Sequence, residues 1–91
     1  MTGSEAAPKP IRLSAHALGY VIIRGFTADE VEGAIRTSEW RAAELNKLEC
    51  SKEFGFDGFW HGRPYTIKTV RPIFVDEPEE IVVVTVYTYY S

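Results

Sequence analysis

A chain of 91 residues with 45% hydrophobic content is long enough for one modest core and too short for two. With 10 basic and 13 acidic residues the formal charge is -3, which excludes a nucleic-acid binder working by bulk positive charge; any RNA contact needs a local basic patch. The one cysteine, Cys50, excludes an internal disulfide, and no apolar run is long enough to span a bilayer, so a cytoplasmic location is expected.

Residues 1–10, MTGSEAAPKP, are small, polar and proline-bearing, and read as a flexible tail ahead of a single domain over residues 11–91. Ile11-Arg12-Leu13 reads as a short edge strand or as the lead-in to a helix. Ser14 is the expected N-cap of that helix, and Leu18, Val21 and Ile22 form an apolar stripe at i, i+3 and i+4. Gly19 lies inside it, so packing must hold the helix in place. Arg24-Gly25 closes it, with Gly25 placed to turn left-handed. Thr27 then caps a second helix, Glu30 completes a capping box, and Phe26 can staple onto Val31. This second helix is expected over residues 28–37 with Val31, Ala34 and Ile35 inward. The two helices form a hairpin turning at Gly25-Phe26, which brings His16 near Arg24.

After Trp40 the period changes. Leu48, Cys50, Lys52, Phe54 and Phe56 alternate with Glu49, Ser51, Glu53 and Gly55, a half-buried strand with Lys52 on its apolar face. Asp57-Gly58 and His61-Gly62 are both hairpin turn candidates. His61-Gly62 is favoured, with a bulge over residues 55–58, because Phe59 and Trp60 suit a strand. Residues 65–75 form the next strand, and residues 76–80, DEPEE, a solvated turn. Ile81 to Tyr90, IVVVTVYTYY, is the strongest strand and is expected to be central. The fold class expected is α+β: an N-terminal helical hairpin packed on a three- to four-stranded antiparallel sheet.

Several motifs together carry a resemblance: Leu-Ser-x-His-Ala around His16, Arg24-Gly25 eight residues on, Thr-Ala-Asp-Glu-Val from Thr27, Val-Arg-Pro-Ile-Phe-Val from Val70, and Ile-Val-Val-Val-Thr-Val-Tyr from Ile81. Over about residues 11–90 the chain resembles a bacterial family of domains of unknown function that is related to the RelE/ParE toxin superfamily. Tyr20 stands where members often carry an arginine. The resemblance implies a small antiparallel sheet with a helical hairpin. It also implies a toxin of the toxin–antitoxin type: one that cuts messenger RNA on the ribosome or acts on gyrase, with an antitoxin-like protein as partner.

Metal-free RNA cleavage needs a group to take the proton of the attacking 2′-hydroxyl, one to protonate the leaving oxygen, and cations to stabilise the phosphate charge. The candidate catalytic residues are His16, Arg24, Lys52 and Arg71. Each also has a plain structural role. His16 can cap or bond a strand, and Arg24 can complement a helix end. Lys52 can snorkel or pair with a glutamate, and Arg71, on a face with Ile67, Ile73 and Val75, can be a paired, half-buried ion. Lys68 falls on the opposite face from Arg71. Tyr87, Tyr89 and Tyr90 suit strand packing or base stacking, and His61 a solvent-exposed turn. No cofactor motif, metal-ligand spacing or membrane partner is indicated. The alternative function is a non-catalytic protein-interaction module on the same fold. A helix-turn-helix is disfavoured because Asp29, Glu30 and Glu32 would face phosphate.

Overall fold

A computed structural model of the protein describes residues 8–91. The tail expected over residues 1–10 therefore lies largely outside the described residues. Of its last three residues, Lys9 pairs with Asp76 and the Pro10 carbonyl accepts from the Ile81 amide.

The elements in order are β1 (Ile11–Leu13), α1 (Ala15–Leu18), α2 (Val21–Arg24), α3 (Ala28–Thr37), β2 (Arg41–Ala42), β3 (Leu48–Glu49), β4 (Lys52–Trp60), β5 (Arg63–Asp76) and β6 (Ile81–Tyr90). They build one six-stranded mixed sheet in the order β1-β6-β5-β3-β2, with β4 also paired to β5. β5 and β6 are antiparallel from Lys68 opposite Tyr90 to Asp76 opposite Ile81. β1 runs parallel to the start of β6, Ile11 opposite Ile81.

The helical hairpin on a three- to four-stranded antiparallel sheet is overturned. The segment expected to be the first helix is two four-residue helices separated at Gly19-Tyr20. That break resets the helical phase, so of the expected apolar stripe only Val21 packs on the core: Leu18 is 58% exposed and Ile22 is 90% exposed. Ile11–Leu13 is the short edge strand, one of the two readings of that segment, and the sheet gains β2, two residues long and too short to show a period. The parallel pairing of β1 is decided by a partner 70 residues away.

Local signals hold where the physics is local. Ser14 accepts from the Ala17 amide as N-cap of α1. Gly25 is left-handed at φ 77°, and the Thr27–Glu30 capping box has both of its bonds. Phe26, Val31, Ala34 and Ile35 sit in the core with Val70, Phe74, Val83 and Val86. The β4–β5 hairpin turns at His61-Gly62, both at positive φ, with the bulge between Gly55 and Gly58. The expected strand from Leu48 to Phe56 is interrupted at Cys50-Ser51, which separates β3 from β4. Buried Cys50 has its thiol pushed up to about 11 by desolvation, which keeps it protonated and inert at neutral pH.

Strand alternation sorts β5. Lys68, Val70, Pro72 and Phe74 face α3, while Arg71, Ile73 and Val75 face away. Away from the helices, Ile73, Val75, Val82 and Val84 are only half-buried and Tyr87 and Tyr89 are exposed. That side is the open face of the sheet. No helix among the described residues is long and apolar enough to cross a membrane.

Candidate functional site

α2 is anchored to β6 by its own end. The Arg24 carbonyl accepts from the Thr88 hydroxyl at 2.6 Å and from the Tyr90 hydroxyl at 3.1 Å. Gly25 then lets the chain turn against an aromatic wall in which Trp60 stacks on Tyr90 with centroids 4.8 Å apart. Desolvation, with Glu30 nearby, holds the Tyr90 hydroxyl above its ordinary pKa and therefore neutral.

Anchored in this way, the Arg24 side chain reaches along β6. Its Nη1 donates to the Val86 carbonyl at 2.8 Å and to the Thr85 hydroxyl at 3.3 Å. The guanidinium lies 3.8 Å from the Tyr20 ring centroid and 4.9 Å from that of Tyr87. Tyr20 meets the His16 ring edge-on at 5.0 Å, and His16 is exposed. On the far side, the Arg71 guanidinium lies 5.5 Å from the Tyr87 ring. His16, Tyr20, Arg24, Tyr87 and Arg71 thus form a continuous run of rings and cations that starts on α1 and α2 and ends on the open face. Each ring–cation contact is attractive because the guanidinium sits against the negative face of the ring.

Arg71 is not bare. Its Nη2 donates to Glu49 Oε1 at 2.8 Å and its Nη1 to the Tyr89 hydroxyl at 3.0 Å. Arg41 holds the other Glu49 oxygen at 3.2 Å. The Arg71 hydrogen bond is the largest cause holding the Glu49 carboxyl below its ordinary pKa, and Arg41 adds to it. Beside this group a cavity of about 520 Å³ opens between the face and the β2–β3 turn, lined by Ile73, Val84, Thr85, Tyr87, Glu49 and Arg71. Leu45 and Asn46 in that turn both have positive φ, 59° and 60°. Asparagine tolerates this; an exposed leucine there is strained.

Of the four residues expected to carry chemistry, three are linked through Tyr20 and Tyr87 along this run: His16, Arg24 and Arg71. Lys52 is not. It pairs in register with Val70 and so points to the helix side, where its Nζ donates to the Thr37 hydroxyl at 3.0 Å. Lys68 is on that side too, paired with Glu30 at 2.9 Å and donating to the Gly25 carbonyl at 2.9 Å. His61 is exposed in its turn and stacks on Trp60 at 4.5 Å. Tyr20, Arg41 and Glu49 join the site without having been anticipated. Glu49 was legible as the polar side of an alternating strand, but its two arginine partners lie on different strands. No group of three or more His, Cys, Asp and Glu side chains among the described residues could hold a metal ion. Compared with family models, with curated proteins and with solved structures, the chain shows no match.

Proposed function

We propose that the open face binds single-stranded RNA and that the protein is a toxin-like, metal-independent endoribonuclease of messenger RNA acting in the cytoplasm. The observation that carries the reading is the run from exposed His16 through Arg24 to Arg71, with aromatic rings interleaved. Rings interleaved with cations suit RNA because bases stack on the rings and guanidinium groups pair with phosphate. The local basic group also supplies what the net charge of -3 withholds.

In this reading the RNA 2′-hydroxyl attacks the adjacent phosphorus while His16 takes its proton. The bond to the 5′-oxygen breaks, the leaving oxygen takes a proton from water, and a 2′,3′-cyclic phosphate and a 5′-hydroxyl end result. Arg24 stabilises the extra charge. Its Nη1 holds β6, and its other nitrogens have no hydrogen-bond partner among the described residues. A positioned proton-transfer group contributes roughly 10²–10⁴-fold. His16→Ala should therefore abolish cleavage of a short RNA and growth arrest on induction, with an unchanged melting temperature. Cleavage by His16→Ala at the wild-type rate would end this reading.

A second reading, a non-catalytic interaction module, is favoured by Leu18, Ile22 and Ile23, which stand exposed together on α1 and α2. An antitoxin-like protein would seat there. If Ile22→Asp breaks a complex in cells while His16→Ala changes nothing, the module reading is the better one.

A further inference from the structure

Glu49 bridges two guanidinium groups as a phosphate does. One oxygen takes Nη2 of Arg71 at 2.8 Å and the other takes Nη2 of Arg41 at 3.2 Å. The bridge sits at the edge of the 520 Å³ cavity, whose floor is Ile73 and Val84 and whose side is the Tyr87 ring. A carboxylate held by Arg71 and Arg41 marks a place shaped for an anion. An apolar floor beside an aromatic ring marks a place for a flat, weakly polar group. The volume lies within the range of about 300–1,000 Å³ typical of small-molecule sites. Leu45, exposed and strained at the rim, can close over such a group.

We propose that this cavity binds a nucleotide bearing a terminal phosphate monoester, whose phosphate takes the place of the Glu49 carboxylate between Arg41 and Arg71 and whose base lies on Ile73 and Val84 beside Tyr87. The inference rests on the reading of the open face as a nucleotide-binding surface and names which phosphate it selects. Charge makes the selection. The triad of Arg41, Arg71 and Glu49 has a net charge of +1 (two arginines, one carboxylate), and Lys47 and Glu44, which also line the cavity, cancel. An internal phosphodiester carries one negative charge, so exchanging it for Glu49 leaves the count unchanged. A phosphate monoester carries nearly two above its second pKa of about 6, with three strong acceptor oxygens. Only the monoester gains charge on displacing the carboxylate, and Glu49 swings out to water. Glu49 thus acts as a filter: it occupies the site against singly charged phosphates and yields to doubly charged ones.

The test is titration calorimetry at pH 7.5 with the full chain. The probes are AMP, the dinucleoside phosphodiester ApA without a terminal phosphate, inorganic phosphate, and an RNA octamer with a 5′-phosphate or a 5′-hydroxyl. AMP should bind at least about tenfold more tightly than ApA, the scale of one added charge interaction at a partly exposed site. It should also bind more tightly than inorganic phosphate, since the cavity holds the base. In Glu49→Gln, ApA binding should rise and the gap to AMP should narrow. In Arg71→Met and in Arg41→Ala, the latter on an exposed short strand that the fold tolerates, the preference for AMP should fall. A 5′-phosphorylated octamer binding more tightly than AMP identifies RNA ends as the source; the reverse identifies free nucleotides. Equal binding of AMP and ApA, with both octamers bound alike, overturns the inference and leaves the RNA reading standing. Inorganic phosphate binding as tightly as AMP overturns the assignment of a nucleotide. Failure of every probe to bind overturns both.

Discussion

Glu30 serves two partners with its two carboxylate oxygens. Oε1 accepts from the Thr27 amide at 3.0 Å and closes the capping box of α3, while Oε2 pairs at 2.9 Å with Lys68 Nζ from β5. The helix start and the sheet are joined through one side chain. The Lys68 side chain is only 8% exposed, and its ammonium group is met by Glu30 and the Gly25 carbonyl.

Removing the two partners should therefore have unequal effects. Glu30→Ala leaves a buried ammonium uncompensated and opens the capping box, and should cost about 3–5 kcal/mol. Lys68→Met replaces the buried charge with a side chain of similar length, and should cost less than about 1.5 kcal/mol. Urea unfolding of both variants measures the difference. Equal losses would show that the pair, and not the stranded lysine, dominates.

Gly25 is required twice over. Its φ of 77° disfavours any side chain, and a Cβ there would come within 2.5 Å of the Tyr90 hydroxyl and 2.6 Å of the Trp60 ring. Gly25→Ala should cost about 2–5 kcal/mol, the sum of a left-handed penalty and overpacking. Because the new Cβ presses on both side chains, the variant should also lose the near-ultraviolet circular dichroism of the Trp60–Tyr90 stack. A loss no larger than the left-handed penalty of about 1–2 kcal/mol would mean that the aromatic wall moves freely.

Glu49 sets an acid limit. Its folded-state pKa is depressed, chiefly by the Arg71 hydrogen bond, so its contribution to stability is present above the ordinary value of 4.5 and is lost as pH falls through the lower folded value. Unfolding free energy measured from pH 7 down to pH 3 should fall more steeply in the wild type than in Glu49→Gln over that window. Parallel curves would mean that the carboxylate makes no net contribution in the folded state.

Hydrogen exchange should divide the chain. Amides of Val70, Val83 and Val86, fully buried where β5 and β6 pair, should exchange most slowly. Amides of α1 and α2, helices of four residues each, should exchange early. Protection of α2 equal to that of β6 would show that the anchoring of the Arg24 carbonyl by Thr88 and Tyr90 locks the helix to the sheet.

The capping box at Thr27–Glu30, the left-handed Gly25, the His61-Gly62 turn and the strand from Ile81 to Tyr90 were legible in the sequence. Each depends on residues within a few positions of one another. The relation between Lys68 and Arg71 was legible for the same reason, since alternation along one strand is local. Which cations meet was not. Lys52 and Arg71 are both strand cations, and the register of Lys52 opposite Val70 is what turns Lys52 to the helix side and away from Arg71. Arg24 reaches Tyr87, and Glu49 reaches both Arg41 and Arg71, across strands and a helix end, with no local trace of the pairing. The parallel placement of β1 has the same origin: it is settled by pairing with β6, 70 residues away. The break at Gly19-Tyr20 is local, since glycine is a poor helix former and the Gly19 and Tyr20 amides bond back to Ala15 and Ala17, but where the two short helices sit is decided by the sheet they pack on.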